Sequence, residues 1–101
     1  MKQFSILCGF LMISALTFGQ KGTVKGTISD NETGEGLFGA YVVFGPGEGT
    51  QTDFDGNFEY SVEYGTYEVE FTSLGYEKVM KTITVDKEEI TLNPISLQLE
   101  I

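Results

Sequence analysis

The stretch NFEYSVEYGTYEVEF, residues 57–71, has the most regular pattern in this sequence of 101 residues. Apolar residues occupy every second position of its two halves: Phe58, Tyr60 and Val62 in the first, Tyr67, Val69 and Phe71 in the second. Successive side chains of a β-strand point to opposite faces, so each half predicts a strand with one buried and one wet face. A turn at residues 63–65 separates the two strands. We expect them to be neighbours, with Glu59, Glu68 and Glu70 on one outer face.

The rest of the chain from Gly22 onward shows the same period of two, and no stretch has helical spacing. Further strands are predicted from Val24, over the nearly all-apolar Phe38–Phe44 as a central strand covered on both sides, over Thr50–Asp53 and Lys78–Val85, and from Ile90 to the end. Turns rich in glycine or charge separate them at intervals of about 8–12 residues. Six or seven short strands of this kind predict an all-β fold with two stacked sheets.

The apolar positions of the last predicted strand change parity. Ile90 and Leu92 are at even positions, whereas the apolar residues from Ile95 onward are at odd ones. Asn93-Pro94 lies where the parity changes. Because proline has no backbone N–H to donate, this pattern predicts a bulge on an edge strand.

The first twenty residues differ from the rest. Lys2 is the only charged residue before Lys21, and residues 4–18 are almost wholly apolar. A basic start, a short apolar run and small residues at its end are typical of a secretory signal peptide. The apolar run is shorter than the roughly 20 residues that span a bilayer. We therefore predict a cleavable signal at residues 1–19 and one domain at residues 20–101, with a buried helix or an uncleaved membrane anchor as the alternatives.

The predicted domain is strongly acidic. It has five lysines, fifteen carboxylates and neither arginine nor histidine, which is a net charge of −10. Such a surface repels nucleic acid and anionic lipid, so we expect neither as a partner. The single cysteine, Cys8, lies in the predicted signal, so the exported domain has no disulfide and no thiol. No transmembrane span is predicted within it, and its stability must come from apolar burial.

Signatures of catalysis are missing from this sequence. Without histidine, arginine or an exported cysteine, the chain lacks the commonest bases, thiol nucleophiles and zinc ligands. We therefore expect that the protein is not an enzyme and needs no cofactor. No catalytic, cofactor-binding or metal-binding residue is assigned.

The segment DFDGN, residues 53–57, allows two interpretations. Oxygen ligands at Asp53, Asp55 and Asn57 resemble the opening of a calcium loop. An EF-hand loop, however, has glycine where Phe58 stands and glutamate where Tyr64 stands. The structural interpretation is a tight turn in which Asp53 accepts backbone hydrogen bonds, and the sequence favours it.

Tyrosines that lie on the surface can stack on sugar rings. Tyr60 and Tyr67 have the inward parity of their strands, so we expect them in the core. Tyr64 lies in the predicted turn and is the best candidate for a carbohydrate-binding surface.

Four ordered motifs resemble the carboxypeptidase regulatory-like domains. They are GTISD at 26–30 with TGE at 33–35 and LFGAYV at 37–42, then GTQTDFDGNF at 49–58, GTYEV at 65–69 and SLGY at 73–76. The resemblance covers residues 22–99 and implies a transthyretin-like sandwich, a seven-stranded antiparallel Greek key without catalytic residues. Gly36 stands where the family often has proline, a departure that we expect to loosen a turn.

In Bacteroidota, domains of this family commonly lie between the signal peptide and the plug of TonB-dependent outer-membrane receptors, and they also occur alone. The resemblance therefore implies a non-catalytic interaction module of the cell envelope, in the periplasm, at the outer membrane or released. Its expected partner is another envelope protein or a surface glycan. Because no plug or barrel sequence follows Ile101, transport is not expected of this chain. The alternatives are a truncated N-terminal extension of such a receptor and a carbohydrate- or calcium-binding sandwich.

Overall fold

The computed structural model describes residues 20–100, so the predicted signal peptide and its cleavage after Gly19 lie outside the described residues. Within residues 20–100 the chain forms strands and no helix: β1 (Lys21–Asp30), β2 (Tyr41–Gly45), β3 (Glu48–Gln51), β4 (Asn57–Glu63), β5 (Gly65–Thr72), β6 (Val79–Val85), β7 (Glu89–Thr91) and β8 (Ile95–Leu97). The described part accordingly contains no helix with the length and apolar character to cross a membrane. The predicted all-β class is confirmed.

The strands form two sheets that enclose one core. In the first sheet β4 lies on one side of β1, and β7 and β8 follow each other on its other side. The second sheet has the order β3-β2-β5-β6. The core consists of inward-facing side chains from both sheets: Val24, Ile28, Ala40, Val42, Phe44, Phe58, Val62, Val69, Phe71, Ile83, Val85, Ile95 and Leu97. The two-layer sandwich predicted from the alternating pattern is thereby confirmed.

The sandwich is not entirely antiparallel, which corrects the prediction. β1 pairs antiparallel with β4 but parallel with β7 and β8. From β1 to β7 each strand reverses the direction of the one before it, so all odd-numbered strands run the same way. Because β1 and β7 become neighbours in the first sheet, they must be parallel.

Eight strands occur because the last predicted strand is split in two. Val24 faces Ile90 and Ile28 faces Ile95, so four residues along β1 correspond to five along the last strand. The extra residue lies at Asn93-Pro94, between β7 and β8, which confirms the predicted register shift. Since the proline cannot donate to the ladder, pairing stops there and resumes at Ile95.

β4 and β5 lie in different sheets, although a single residue separates them. The predicted common outer face of three glutamates is therefore wrong. Glu59 belongs to the first sheet, whereas Glu68 and Glu70 belong to the second. Glu70 lies 3.8 Å from the ammonium group of Lys78, which immediately precedes β6. The short turn after β4 is a crossing between the sheets and not a hairpin.

The predicted central strand over residues 38–44 begins later, at Tyr41, and is covered on one face only. Burial alternates along β2, and Tyr41 is 52% exposed. Gly39 has a φ of 74°, in the left-handed region, and this conformation ends the extended run before the strand. Phe38 consequently lies in a loop outside the sheet.

Three loops meet at the end of the sandwich where β1 finishes, which we call the upper end. They are residues 31–40, residues 52–56 and residues 73–78. The register of β2 against β5 places Tyr41 beside Thr72, which brings the first and third loops together. Tyr64 and the turns at residues 46–47 and 86–88 lie at the opposite, lower end.

We expect Phe58→Ala to lower the free energy of unfolding by about 3–5 kcal/mol, because it deletes a buried ring. Phe58 is 5% exposed and packs against Phe71 with ring centroids 6.0 Å apart. Urea denaturation measures the change. The control is Phe54→Ala, whose ring lies in solvent and whose loss should cost less than about 1 kcal/mol. Equal losses in the two variants would contradict the inward position of Phe58.

Candidate binding surface at the upper end

The upper end displays two stacked phenylalanine rings to solvent. Phe38 and Phe54 have ring centroids 4.4 Å apart and ring planes only 5° from parallel. Phe38 is 62% exposed and Phe54 is 82% exposed. Each ring shields one face of the other, and the remainder of the pair is in water. Large apolar groups exposed together are informative, because a small domain normally buries them and surface clusters of this kind mark binding sites. We call these two residues the aromatic pair.

The backbone of β1 holds the loops that carry the aromatic pair. The N–H of Ile28 donates to the carbonyl of Gly56 over 2.8 Å. The carbonyl of Ile28 accepts from the N–H of Leu37 over 2.9 Å. One core residue therefore anchors both loops, one residue before Phe38 and two residues after Phe54.

Thr52 makes a second connection between the same loops. Its N–H donates to the carbonyl of Ala40, and its hydroxyl oxygen accepts from the N–H of Ala40, each over 2.9 Å. The hydroxyl in turn donates to the carbonyl of Leu37. Thr52 is 4% exposed, so water does not compete for these bonds. The aromatic pair thus rests on a hydrogen-bonded base.

Two glycines allow the loop backbones to touch. A Cβ at Gly36 would collide with the carbonyl of Asp55, and a Cβ at Gly56 would collide with the carbonyl of Ile28. Gly56 also has a φ of 84°, which other residues rarely adopt. The sequence led us to expect that Gly36 loosens a turn. That expectation is wrong, because Gly36 permits a close backbone contact.

We expect Gly36→Ala to destabilise the protein by about 2 kcal/mol, because its methyl group must displace the backbone of the neighbouring loop. For a domain of this size that corresponds to a fall in melting temperature of about 8–16 °C. Gly45→Ala is the matched control, since a Cβ there meets only the end of the Glu48 side chain at 3.9 Å. Differential scanning calorimetry compares the two. A melting temperature of Gly36→Ala no lower than that of Gly45→Ala would contradict the close contact.

The DFDGN segment forms a turn at the upper end. One oxygen of the Asp53 carboxylate accepts the N–H groups of Asp55 and Asn57, each over 2.9 Å. The side-chain carbonyl of Asn57 accepts the hydroxyl of Thr27 over 2.7 Å. The predicted role of Asp53 as an acceptor for backbone hydrogens is confirmed. Oxygens of two of the three residues considered as calcium ligands are engaged in bonds within the protein.

A second carboxylate closes the loop after β1. Asp30 is 8% exposed, and one of its oxygens accepts the N–H of Glu32 over 2.7 Å and that of Thr33 over 3.0 Å. The other oxygen accepts the hydroxyl of Tyr76 over 2.6 Å. The hydrogen bond from Tyr76, followed by those from the two backbone groups, lowers the pKa of Asp30. The same bond raises the pKa of the Tyr76 hydroxyl. The pair joins the first and third loops of the upper end.

We expect Tyr76→Phe to weaken the pH dependence of stability at acid pH. The pKa of Asp30 lies below its ordinary value of 3.8, so the unfolded chain binds the proton more readily. The stability from its hydrogen bonds is therefore present above about pH 4 and is lost as pH falls through the folded-state pKa. In Tyr76→Phe the difference between the pKa of Asp30 in the folded state and in the unfolded state becomes smaller, because one of the hydrogen bonds that lower it is lost.

Thermal melts between pH 2 and pH 7 measure this effect. The difference in melting temperature between the parent and Tyr76→Phe should be largest near neutral pH and should decrease at acid pH. Tyr64→Phe, at the lower end, serves as the control and should follow the parent. A gap that stays constant over the whole range would contradict the coupling of Tyr76 to Asp30.

The tyrosines considered for carbohydrate binding are dispersed. Tyr60 and Tyr67 are partly buried and pack against Phe44, with centroid distances of 5.1 and 5.8 Å, as predicted. Tyr64 is 38% exposed at the lower end, away from the aromatic pair. Tyr41, which the predicted two-sided strand would have covered, is more exposed than Tyr64.

An open groove of about 490 Å³ lies beside the DFDGN turn. The residues that line it are mostly of polar type and mixed in charge, and include Lys25, Thr27, Gln51, Asp53, Asn57 and Glu59. Lys25 lies 3.1 Å from the carboxylate of Glu89, and this hydrogen-bonded pair raises the pKa of Lys25. The charge of Lys25 is thus balanced within the protein.

Sequence reasoning missed the aromatic pair. It assigned Phe38 to a buried strand and considered Phe54 only as a member of a turn. The available signal was the position of each ring beside a glycine- or aspartate-rich loop, Phe38 before Gly39 and Phe54 between Asp53 and Asp55. Such positions predict exposure, but they do not predict that the two rings meet.

A two-sheet sandwich with these loop motifs defines a class of small all-β domains, and comparison with known proteins identifies the family. Residues 24–100 match the CarboxypepD_reg-like domain family, and the chain belongs to it. The chain is also 42% identical over 77 residues to the TonB-dependent receptor SusC of Bacteroides thetaiotaomicron. That match covers 75% of this chain but only 8% of the receptor.

Solved structures support the sandwich fold. A chain of a type II cohesin–X-dockerin complex from Acetivibrio cellulolyticus is similar with a TM-score of 0.64 at 25% identity, over 75% of this chain and 56% of that one. A streptococcal ancillary pilin is similar with a TM-score of 0.57 at 22% identity, over 79% of this chain and 30% of the pilin. These similarities concern the fold.

Proposed function

We propose that this domain is an exported, non-catalytic interaction module of the cell envelope that works with, or as part of, a TonB-dependent receptor. The observation that carries the proposal is the 42% identity to a segment of one such receptor, over nearly the whole described sandwich. Identity of this extent supports a shared fold, and the lack of histidine and arginine in the chain supports the non-catalytic part of the proposal.

The structure of the upper end supports a role in binding another molecule. Buried hydrogen bonds of Thr52 and Ile28 hold two loops whose most prominent side chains point into water. Two exposed phenylalanines contribute little to stability, and a domain of this size has little stability to spare. A binding partner that covers the rings explains why they are exposed.

Within this proposal, the N-terminal extension of a receptor is the form that we favour over a stand-alone module. The matched segment amounts to 8% of SusC, which is the proportion of an accessory domain in a much larger protein. The carbohydrate and calcium alternatives receive less support. Tyr64 is isolated from the aromatic pair, one carboxylate oxygen of Asp53 accepts backbone N–H groups of the turn, and the side-chain oxygen of Asn57 accepts the hydroxyl of Thr27.

A receptor chimera tests the proposal. The family domain, residues 24–100, replaces the matching segment of the Bacteroides thetaiotaomicron receptor, and TonB-dependent uptake is measured beside the parent and a receptor lacking the segment. We expect the chimera to match the parent and the shortened receptor to fall well below both. A chimera with Val69→Asp, which places a charge in the core, should behave as the shortened receptor.

Two results would contradict the proposal. One is a chimera that performs no better than the shortened receptor although it reaches the envelope in equal amount. The other is a shortened receptor with uptake equal to that of the parent, since the segment would then contribute nothing to the receptor.

A further inference from the structure

We propose that the aromatic pair is a docking platform for a cationic segment of a partner protein, in which an arginine or lysine side chain lies over the exposed ring of Phe54. This inference rests on the proposed role in contact and names the chemistry of the partner. The platform combines three properties: open aromatic rings, a rigid base and a strongly negative surround.

The rings are open and already aligned. Phe54 keeps 82% of its surface in solvent although Phe38 covers one of its faces. The π-electrons make the face of an aromatic ring negative, so a cation placed over it is attracted, and arginine makes this contact most often. The ring of Phe38 and the hydrogen-bonded loops hold Phe54 in place. Binding of a cation therefore costs little conformational entropy on the side of the platform.

The aromatic pair lies in a part of the chain that has no positive charge. Residues 26–77 contain neither lysine nor arginine. They contain eleven carboxylates: Asp30, Glu32, Glu35, Glu48, Asp53, Asp55, Glu59, Glu63, Glu68, Glu70 and Glu77. The two loops that carry the rings contain four of these carboxylates, Glu32, Glu35, Asp53 and Asp55, and no lysine. Lys78, in the third loop of the upper end, lies 3.8 Å from Glu70, and Lys25, in the groove beside the DFDGN turn, lies 3.1 Å from Glu89, so each of these positive charges is paired with a carboxylate. The field around the platform attracts cations and repels anions.

Some of these carboxylates adjoin the rings. Asp53 and Asp55 flank Phe54 in the chain, and both are exposed. Glu35 precedes Gly36, whose Cα packs against the backbone of Asp55, so the exposed residues Glu35 and Asp55 come from loops that touch. A guanidinium on Phe54 can therefore reach carboxylate oxygens as well as the ring. Charge-assisted hydrogen bonds of this type are stronger than neutral ones.

Other occupants fit this surface less well. A second copy of the chain carries the same negative charge, since the whole sequence has a net charge of −9, and two copies repel each other. A neutral glycan can stack on the rings but makes no use of the surrounding charge. The charge therefore favours a basic peptide segment.

Binding of a labelled peptide tests the inference. The probe is a fluorescent Gly-Arg-Gly-Arg-Gly peptide, and its neutral analogue has citrulline in place of both arginines. Fluorescence anisotropy with the intact chain should show saturable binding of the arginine peptide that weakens as salt rises. The citrulline peptide should bind at least about fivefold more weakly.

Substitutions locate the site. Phe54→Leu and Phe38→Leu keep an apolar side chain but remove the ring, and each should weaken binding of the arginine peptide by about fivefold. Tyr64→Leu removes an exposed ring at the lower end and should leave binding unchanged. Asp55→Asn should weaken binding at low salt more than at high salt.

Several outcomes would overturn the inference. Equal binding of the citrulline peptide would assign the platform to an uncharged ligand, as would displacement of the probe by a neutral oligosaccharide. Unchanged binding in both leucine variants would show attraction by charge alone. Sedimentation that reveals self-association lost in Phe54→Leu would assign the platform to a second copy. An active receptor chimera without peptide binding would refute the cationic partner alone, whereas peptide binding beside an inactive chimera would refute the receptor role alone.

Discussion

The hydrogen-bonded backbone of β1 is the constraint on which the rest of the structure depends. It pairs with β4 on one side and with β7 and β8 on the other, so it determines the order of the first sheet. At the upper end Ile28 shares backbone hydrogen bonds with both loops that carry the aromatic pair. Asp30 then closes the next turn and receives the hydroxyl of Tyr76. One strand therefore connects the core, the three loops and the surface.

Exposure of the aromatic pair to water lowers the stability of the domain, and the anchoring by β1 is what keeps the two rings in place. A domain of this size buries little apolar surface, and its stability depends on that burial. Two phenylalanines left in water do not contribute to it. The loops beneath them are nevertheless held by buried bonds of Thr52 and by glycines that permit backbone contact. The molecule thus maintains a small apolar surface inside an acidic surround. This combination suits a module that works by contact.

Several features could be predicted from the residues, because they depend on local chemistry. Alternation in residues 57–71 identified which side chains face the core, and the parity change at Asn93-Pro94 located the bulge. The short side chain of Asp53 holds its carboxylate close to the backbone N–H groups that follow it in the chain, so its role in a turn was also predictable. The motifs identified the family that residues 24–100 match.

By itself, then, the sequence determined the class of fold, the faces that β4 and β5 bury, and the family. Only the tertiary structure decided which strands are neighbours, including the parallel pairing of β7 with β1 and the separation of β4 from β5. It alone brought Phe38 and Phe54 together from separate loops. The physical reason is that alternation specifies a face and not a partner, whereas pairing and loop contact depend on the packing of the whole core.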